Sequence, residues 1–286
     1  MVKRINLSQL KSHLRQAQSK QRQAISRYNQ GVRDINRARD NYNRQVRTYN
    51  TRVRSNQQRL RSELAKLSRQ PSTQFGTFRT SVSHLSTTYA RLDQSGNLRL
   101  LTPEENRFFD LSERETVNGV GVLNTLLDPA SSTVAIAPLQ QTSITNEIAL
   151  ISEDLDSRWR GALHALDPGN PEASRHFCSS AREIFAGIPN LKAPDHTVGN
   201  LFPDCPRTDQ GSPTRRIKIQ FLLEGKGVNN DDLVEFVEAD VENIMDLFDV
   251  LNAGTHGPAG KYDMVTLASI KTRVEDGLVF LTSIAA

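Results

Sequence analysis

Cysteine is scarce in this chain of 286 residues. Two residues, Cys178 and Cys205, cannot staple a disulfide scaffold or fill a Cys-rich zinc module. Long apolar runs are missing as well, and none reaches the roughly 18 residues that a membrane span requires. The basic opening stretch Met1–Gln16 has no apolar core, so no secretory leader is expected. Enzyme signatures are equally thin. There is no G-x-S-x-G and no H-E-x-x-H, and Gly225-Lys226-Gly227 lacks the spacing and helix context of a phosphate loop. His176, Cys178, His196 and Cys205 make a poor ligand set, because residues two apart on a helix point to opposite sides. No metal site is expected, and nothing names a cofactor. These absences lead to the expectation of a cytoplasmic protein without membrane contact, long enough to bury a core of its own.

Acid is nearly absent from one end. Residues 1–70 carry 18 Lys and Arg against only Asp34, Asp40 and Glu63, a net +15, and the remainder carries 18 bases against 29 acids, a net −11. Proline is also absent before Pro71. Within that basic stretch, residues 28–69 read in sevens. Tyr28, Ile35, Tyr42 and Tyr49 open successive heptads, and Val32, Val46, Val53, Leu60 and Leu67 follow four residues later. This alternation of four and three is the apolar seam of a coiled coil. Arg39 and Asn56 interrupt the seam and would set its register. A helix from Leu7 to Arg69 would be on the order of 95 Å long, and it needs a second helix to cover the seam. No comparable heptad segment follows, so a homodimer or a coiled-coil partner protein is expected. The Arg surplus is open to three readings: a solvated rod, a rod that binds nucleic acid, or one that binds an acidic protein face.

Beyond Pro71 the pattern stays helical. Phe78, Val82, Leu85 and Tyr89 mark one helix. Thr102-Pro103-Glu104-Glu105 reads as a capped start of a helix that runs to about Leu127. Thr133–Ile136 suggests a short strand without a mate. Leu150, Leu155, Trp159, Leu163 and Leu166 mark one further helix, and Phe177, Ala181, Ile184 and Phe185 another that closes at Pro189. Residues 189–213, with five prolines, are expected to form a long irregular loop, and Arg215–Leu223 is ambiguous between helix and strand. Asn230-Asp231-Asp232 caps an apolar helix to Leu251, and Leu267, Ile270, Val274, Leu278 and Leu281 define the last helix, expected to pack on it as a hairpin. The fold class is all-α: a long N-terminal coiled-coil helix followed by an antiparallel helical bundle. The expected segments are a basic coiled coil over 1–70, a helical linker region over 71–143, and the bundle over 144–286.

Two clusters carry chemistry-bearing residues. On one helix, Arg175 and Arg182 share a face, with His176, Ser180 and Glu183 on the neighbouring stripe. Arginine suits phosphate, and a nearby imidazole suits proton transfer. The alternative is that Arg182 and Glu183 pair with other helices. The second cluster is the glycine-rich loop after Asn252, with His256 at its centre. Exposed there, His256 can act as acid or base. The alternative is a simple helix C-cap.

The run Arg160–Glu183, followed by Ala193-Pro194-Asp195, Leu251–Gly260 and Arg273-Val274-Glu275, resembles the predicted pPIWI-associating nuclease domain of bacterial conflict systems over residues 145–285. The resemblance implies an all-helical nuclease domain. The His256 loop is also similar to the catalytic corner of HEPN ribonucleases. Asn252 and His256 fit that corner, but Asp249, Val250 and Leu251 stand where its arginine belongs. Arg182 or Arg175 would then supply the charge from a facing helix, or the domain does not cleave. The resulting expectation is a nuclease-like effector of a bacterial conflict or anti-phage system. His256, Arg182, Glu183, Arg175 and Asn252 form its site, and the rod serves oligomerisation and nucleic-acid or partner binding. The competing expectation is a non-enzymatic scaffold that uses the bundle as a docking module.

Overall fold

A computed structural model describes residues 7–67, 75–96, 101–128, 139–142, 144–253 and 262–286. Its elements are all helices. They are α1 (Leu7–Leu67), α2 (Gly76–Gly96), α3 (Pro103–Leu127), α4 (Thr145–Ala149), α5 (Glu153–Ala165), α6 (Ala173–Lys192), α7 (Asp195–Leu201), α8 (Arg215–Gly225), α9 (Asp231–Ala253) and α10 (Met264–Ala285). Among the described residues the only β feature is an isolated bridge between Arg207 and Pro213. The all-α class expected from periodicity is the observed one, with a long N-terminal helix and a packed helical bundle. Residues 133–136, read as a possible strand, lie outside the described residues.

Two compact units divide the chain, Met1–Gln58 and Arg59–Ala286. In the first, α1 is a continuous helix with no acid in its first turn. The seam residues Tyr28, Val32, Ile35 and Tyr42 stand in the open, with Tyr28 at 73% and Ile35 at 70% exposure. The few acids are used locally. Asp34 accepts from the Gln30 amide at 3.0 Å and lies 3.8 Å from Arg37. With 18 bases against three acids over residues 1–70, repulsion along the helix has few local offsets.

In the second unit, α2 packs mainly on α9, α3 on α10, and α5 on α6. The stripe Phe78, Val82, Leu85 and Tyr89 is buried, as its spacing predicts. α3 starts on a complete capping box: Thr102 Oγ1 accepts from the Glu105 amide at 3.2 Å, and the Thr102 amide donates to Glu105 at 2.9 Å. Buried hydroxyls on α2 and α3 bond back within their own helices, Ser86 to the Val82 carbonyl at 2.9 Å and Ser112 to that of Phe108 at 2.8 Å. Phe236 bridges Tyr89 and Phe280, with ring centroids 6.3 and 6.1 Å away.

One charged group sits at the centre of this core. Arg273 on α10 is fully buried and donates to Glu115 of α3 and to Asp240 of α9, each at 2.5 Å, and to Asn243 of α9 at 3.1 Å. The Asn243 amide donates to Ser81 of α2 at 3.0 Å. Beside this network Gly277 lets α9 approach α10, since a Cβ there would come within 2.4 Å of Ile244 Cδ1, and a Cβ at Gly119 would come within 3.2 Å of Asn243 Oδ1. The hairpin expected of the last two long helices is therefore only part of their packing. α9 and α10 meet at Arg273, and each packs more extensively against α2 or α3.

Three local expectations need correction. The helix drawn through Leu150 and Leu155 is two helices, and Leu150 is 79% exposed. Ser152 takes the N-cap of α5, accepting from the Leu155 amide at 3.5 Å, with Glu153, Asp154 and Asp156 in the first turn. A capped, acid-rich start outweighs the apolar spacing that runs across it. α6 does not close at Pro189 but runs on to Lys192. Ile188, Pro189 and Ala193 are all buried, so packing holds the turn that the missing proline N–H weakens. The stretch 189–213 therefore contains helix, including α7, and the ambiguous segment after it is α8.

Candidate functional site

The stretch richest in distinctive residues folds as a helical hairpin. α5 buries Leu155, Trp159, Ala162 and Leu163 on one face, and Trp159 meets Phe177 of α6 with centroids 5.8 Å apart. Asp167-Pro168 ends α5, because the residue before a proline disfavours helical backbone. Two polar side chains shape the turn. Asp167 Oδ1 accepts from the Gly169 amide at 2.7 Å. Asn170 donates to the Ala165 carbonyl at 2.8 Å and accepts from the Glu172 amide at 3.0 Å, tying the end of α5 to the start of α6.

An open cleft of about 780 Å³ lies across this hairpin, lined by His164, Asp167, Asn170, His176, Ser179 and Ser180 among others. His164 comes from the last turn of α5 and His176 from the opening turn of α6. Both imidazoles are exposed and line the same cleft, and an imidazole can take up or give a proton in catalysis. The serine hydroxyls offer donors to an anionic oxygen.

The expected site residues are distributed as follows. Arg182 donates to Asp249 of α9 at 2.5 Å, and its guanidinium lies 6.0 Å from the Phe248 ring centre. Its Nε is buried without a hydrogen-bond partner. Arg175 lies 3.6 Å from Glu172 on its own helix. Glu183 is exposed and contributes, after the dominant Asp154 contact, to favouring the charge on Arg158 of α5. Asn252 lies in the last turn of α9, with its side chain outside the described residues, and His256 lies outside them altogether. The structure thus brings Arg182 against Asp249, near the helix end from which the His256 loop departs. Cys178 faces the core, where burial pushes its thiol up, while His176 two residues earlier is exposed. Among the described residues no three His, Cys, Asp or Glu side chains are grouped to hold a metal ion.

That His164 and His176 line one cleft escapes a reading of the sequence that looks for motifs. The available signal was two histidines flanking the turn Asp167–Pro171 within one short run. Residues 149–281 match the model of a family described as predicted pPIWI-associating nuclease. That span contains the whole cleft. Residues 4–83 match a second model, described as "Putative T7SS secretion signal domain". No curated protein matches the chain, and no solved structure does. No helix among the described residues is long and apolar enough to cross a membrane.

Proposed function

We propose that the chain is a nuclease-like effector of bacterial conflict, whose α5–α6 cleft cleaves RNA by imidazole acid–base catalysis and whose N-terminal region directs export. The carrying observation is that His164 and His176 line one open cleft inside the segment matching a predicted nuclease family. One imidazole takes the proton of a ribose 2′-hydroxyl. O2′ attacks phosphorus and forms the O2′–P bond, the P–O5′ bond breaks, and the second imidazolium gives its proton to O5′. The products are a 2′,3′-cyclic phosphate and a 5′-hydroxyl. Ser179 and Ser180 donate to the non-bridging oxygens as charge builds there. Asn170 positions both walls. Arg175, Arg182 and Glu183 stand on α6 outside the cleft lining and belong to the same proposal, as do Asn252 and His256, as a second catalytic corner at the end of α9.

The test uses the purified full-length chain on end-labelled RNA and on DNA of the same sequence. RNA is cleaved to cyclic phosphate ends and DNA is untouched. His164→Ala and His176→Ala each lower the rate about 100-fold or more, with unchanged circular dichroism. Wild-type rates in the double variant, or equal cleavage of DNA, would overturn the cleft as the site. His256→Ala, assayed beside them, tests the second corner.

The match over 4–83 supports export through a T7SS, after synthesis in the cytoplasm. Fractionation of a host bearing that system tests this part, and retention of the full chain inside such cells would remove it. The exposed seam of α1 supports pairing with a second chain, and its arginines support binding of RNA or an acidic partner face. One observation favours the docking-module reading: Arg182 and Arg175 already hold Asp249 and Glu172. Under that reading the wild-type chain cleaves no RNA.

A further inference from the structure

A second cavity of about 780 Å³ lies between the C-terminal half of α6, the loop before α8, and α8 itself. Its frame is locked. Lys218 is largely buried and donates to Asn190 at 2.6 Å, and it pairs with Asp195 at 2.6 Å. The loop is closed on itself by the Thr208 amide to the Ser212 carbonyl at 2.8 Å and the Thr214 amide to that of Pro206 at 3.1 Å. Gly211 takes the left-handed turn, with φ of 82°. The cavity walls include Ala186, Pro189 and Met245, an apolar slab backed by the buried Phe185.

Against this frame three polar side chains lining the cavity stay uncommitted. Arg215 has a buried Nε with no hydrogen-bond partner, and it forms no ion pair among the described residues. Asp209 and Gln210, on the rim, likewise bond to no described residue. A slab with a carboxylate, an amide and a guanidinium left over matches a nucleotide: apolar surface for the base, hydrogen-bonding groups for its edge, and a cation for its phosphate. A carboxylate has two acceptor oxygens and no donor. It therefore selects the base that presents two adjacent N–H donors on one edge, which is guanine.

We propose that this cavity is a guanine-nucleotide subsite, with Asp209 accepting from the base edge and Arg215 holding the phosphate. It deepens the RNA-cleaving reading and rests on it for its role, since a base held beside α6 gives cleavage a base preference. α6 lines both cavities, through His176, Ser179 and Ser180 near its start and Phe185, Pro189 and Asn190 further along.

Calorimetric titration of the full-length chain with GMP, AMP, CMP, UMP and guanosine tests it. GMP binds about tenfold or more tightly than the other monophosphates. Asp209→Asn removes that preference, and Arg215→Ala weakens GMP but not guanosine. Asp209 is exposed and unbonded, so its variant keeps the fold. Equal affinity for all four monophosphates, or an unchanged GMP preference in Asp209→Asn, overturns the subsite. His164→Ala retains GMP binding whether or not RNA is cleaved. Absent cleavage with intact GMP selectivity therefore refutes the catalytic reading alone.

Discussion

Arg273→Met should cripple the bundle at neutral pH and do so less at acid pH. The side chain is fully buried between Glu115 and Asp240, with one cation facing two carboxylates. Burial works against its charge, and the Asp240 and Glu115 carboxylates more than restore it. Burial, then repulsion from Asp240, holds the Glu115 proton to well above the ordinary carboxyl range, and burial raises Asp240 too. Removing the arginine leaves Asp240 without its counter-charge and Glu115 with only Arg114, 3.9 Å away. Breaking a buried pair in this way costs about 3–5 kcal/mol. For a unit of this size that is a fall of about 6–20 °C in Tm. The sign with pH follows from linkage. A carboxyl whose pKa is raised in the fold contributes stability that is complete below its unfolded pKa, about 4, and is lost as pH rises through the folded value. Without Arg273 both carboxyls bind protons still more tightly in the fold, so the deficit narrows as pH falls. Thermal melts followed at 222 nm at pH 5 and pH 8 measure it. Should Arg273→Met fail to fold, Glu115→Gln is the companion: it leaves the Arg273–Asp240 pair, stays within about 1.5 kcal/mol of wild type, and flattens the pH dependence. A deficit that is equal at both pH values, or a Glu115→Gln melt with unchanged pH dependence, would refute the reasoning.

Other outcomes follow from particular contacts. Asn170→Ala loses two cross-ties of the α5–α6 turn and should cost about 1–2 kcal/mol in urea unfolding, while lowering RNA cleavage more than stability alone explains. Gly277→Ala puts a Cβ 2.4 Å from Ile244 Cδ1 and 3.1 Å from Phe185 Cζ. Overpacking should exceed the helix-propensity gain, for a net loss of about 1 kcal/mol, and a more stable variant would contradict the packing. Ellman's reagent should label Cys205 in the folded protein and Cys178 only after denaturant, since Cys178 is buried with its thiol pushed up. Replacing Arg22, Arg27, Arg33, Arg37 and Arg44 with Gln should flatten the salt dependence of RNA binding, by about 0.7 in the log–log slope for each phosphate no longer neutralised. An unchanged slope would take RNA off α1.

The features legible in the sequence are those decided within a few residues. Thr102 and Glu105 cap α3 across three positions, and Asn230 accepts from the Leu233 amide at 3.1 Å across three. The buried face of α2 repeats at helical spacing, as do Leu267, Ile270, Val274, Leu278 and Leu281 within α10, which is buried almost all round. Where two local signals competed, spacing alone chose badly. It ran a helix through Leu150 that the Ser152 cap breaks, and the breakers Gly187 and Pro189 signal the end of a helix that burial carries through to Lys192. For the site, the α6 residues could be named, but their partners could not. Arg182 finds Asp249 sixty-seven residues away, and His164 and His176 line one cleft because α5 and α6 fold back on each other at the turn that Asp167 and Asn170 shape.

By itself the sequence determined an all-helical chain, the capped starts of α3 and α9, a basic seam at one end and a charge split between the ends, because hydrogen bonds and apolar periodicity within a helix are short-range. Tertiary structure alone decided that Arg273 lies at the centre of the core, 158 residues from Glu115 and 33 from Asp240. It alone decided that Asp209 and Arg215 border one cavity with Phe185. Which helix faces meet depends on how side chains from distant elements fill one volume together, and no local pattern encodes that.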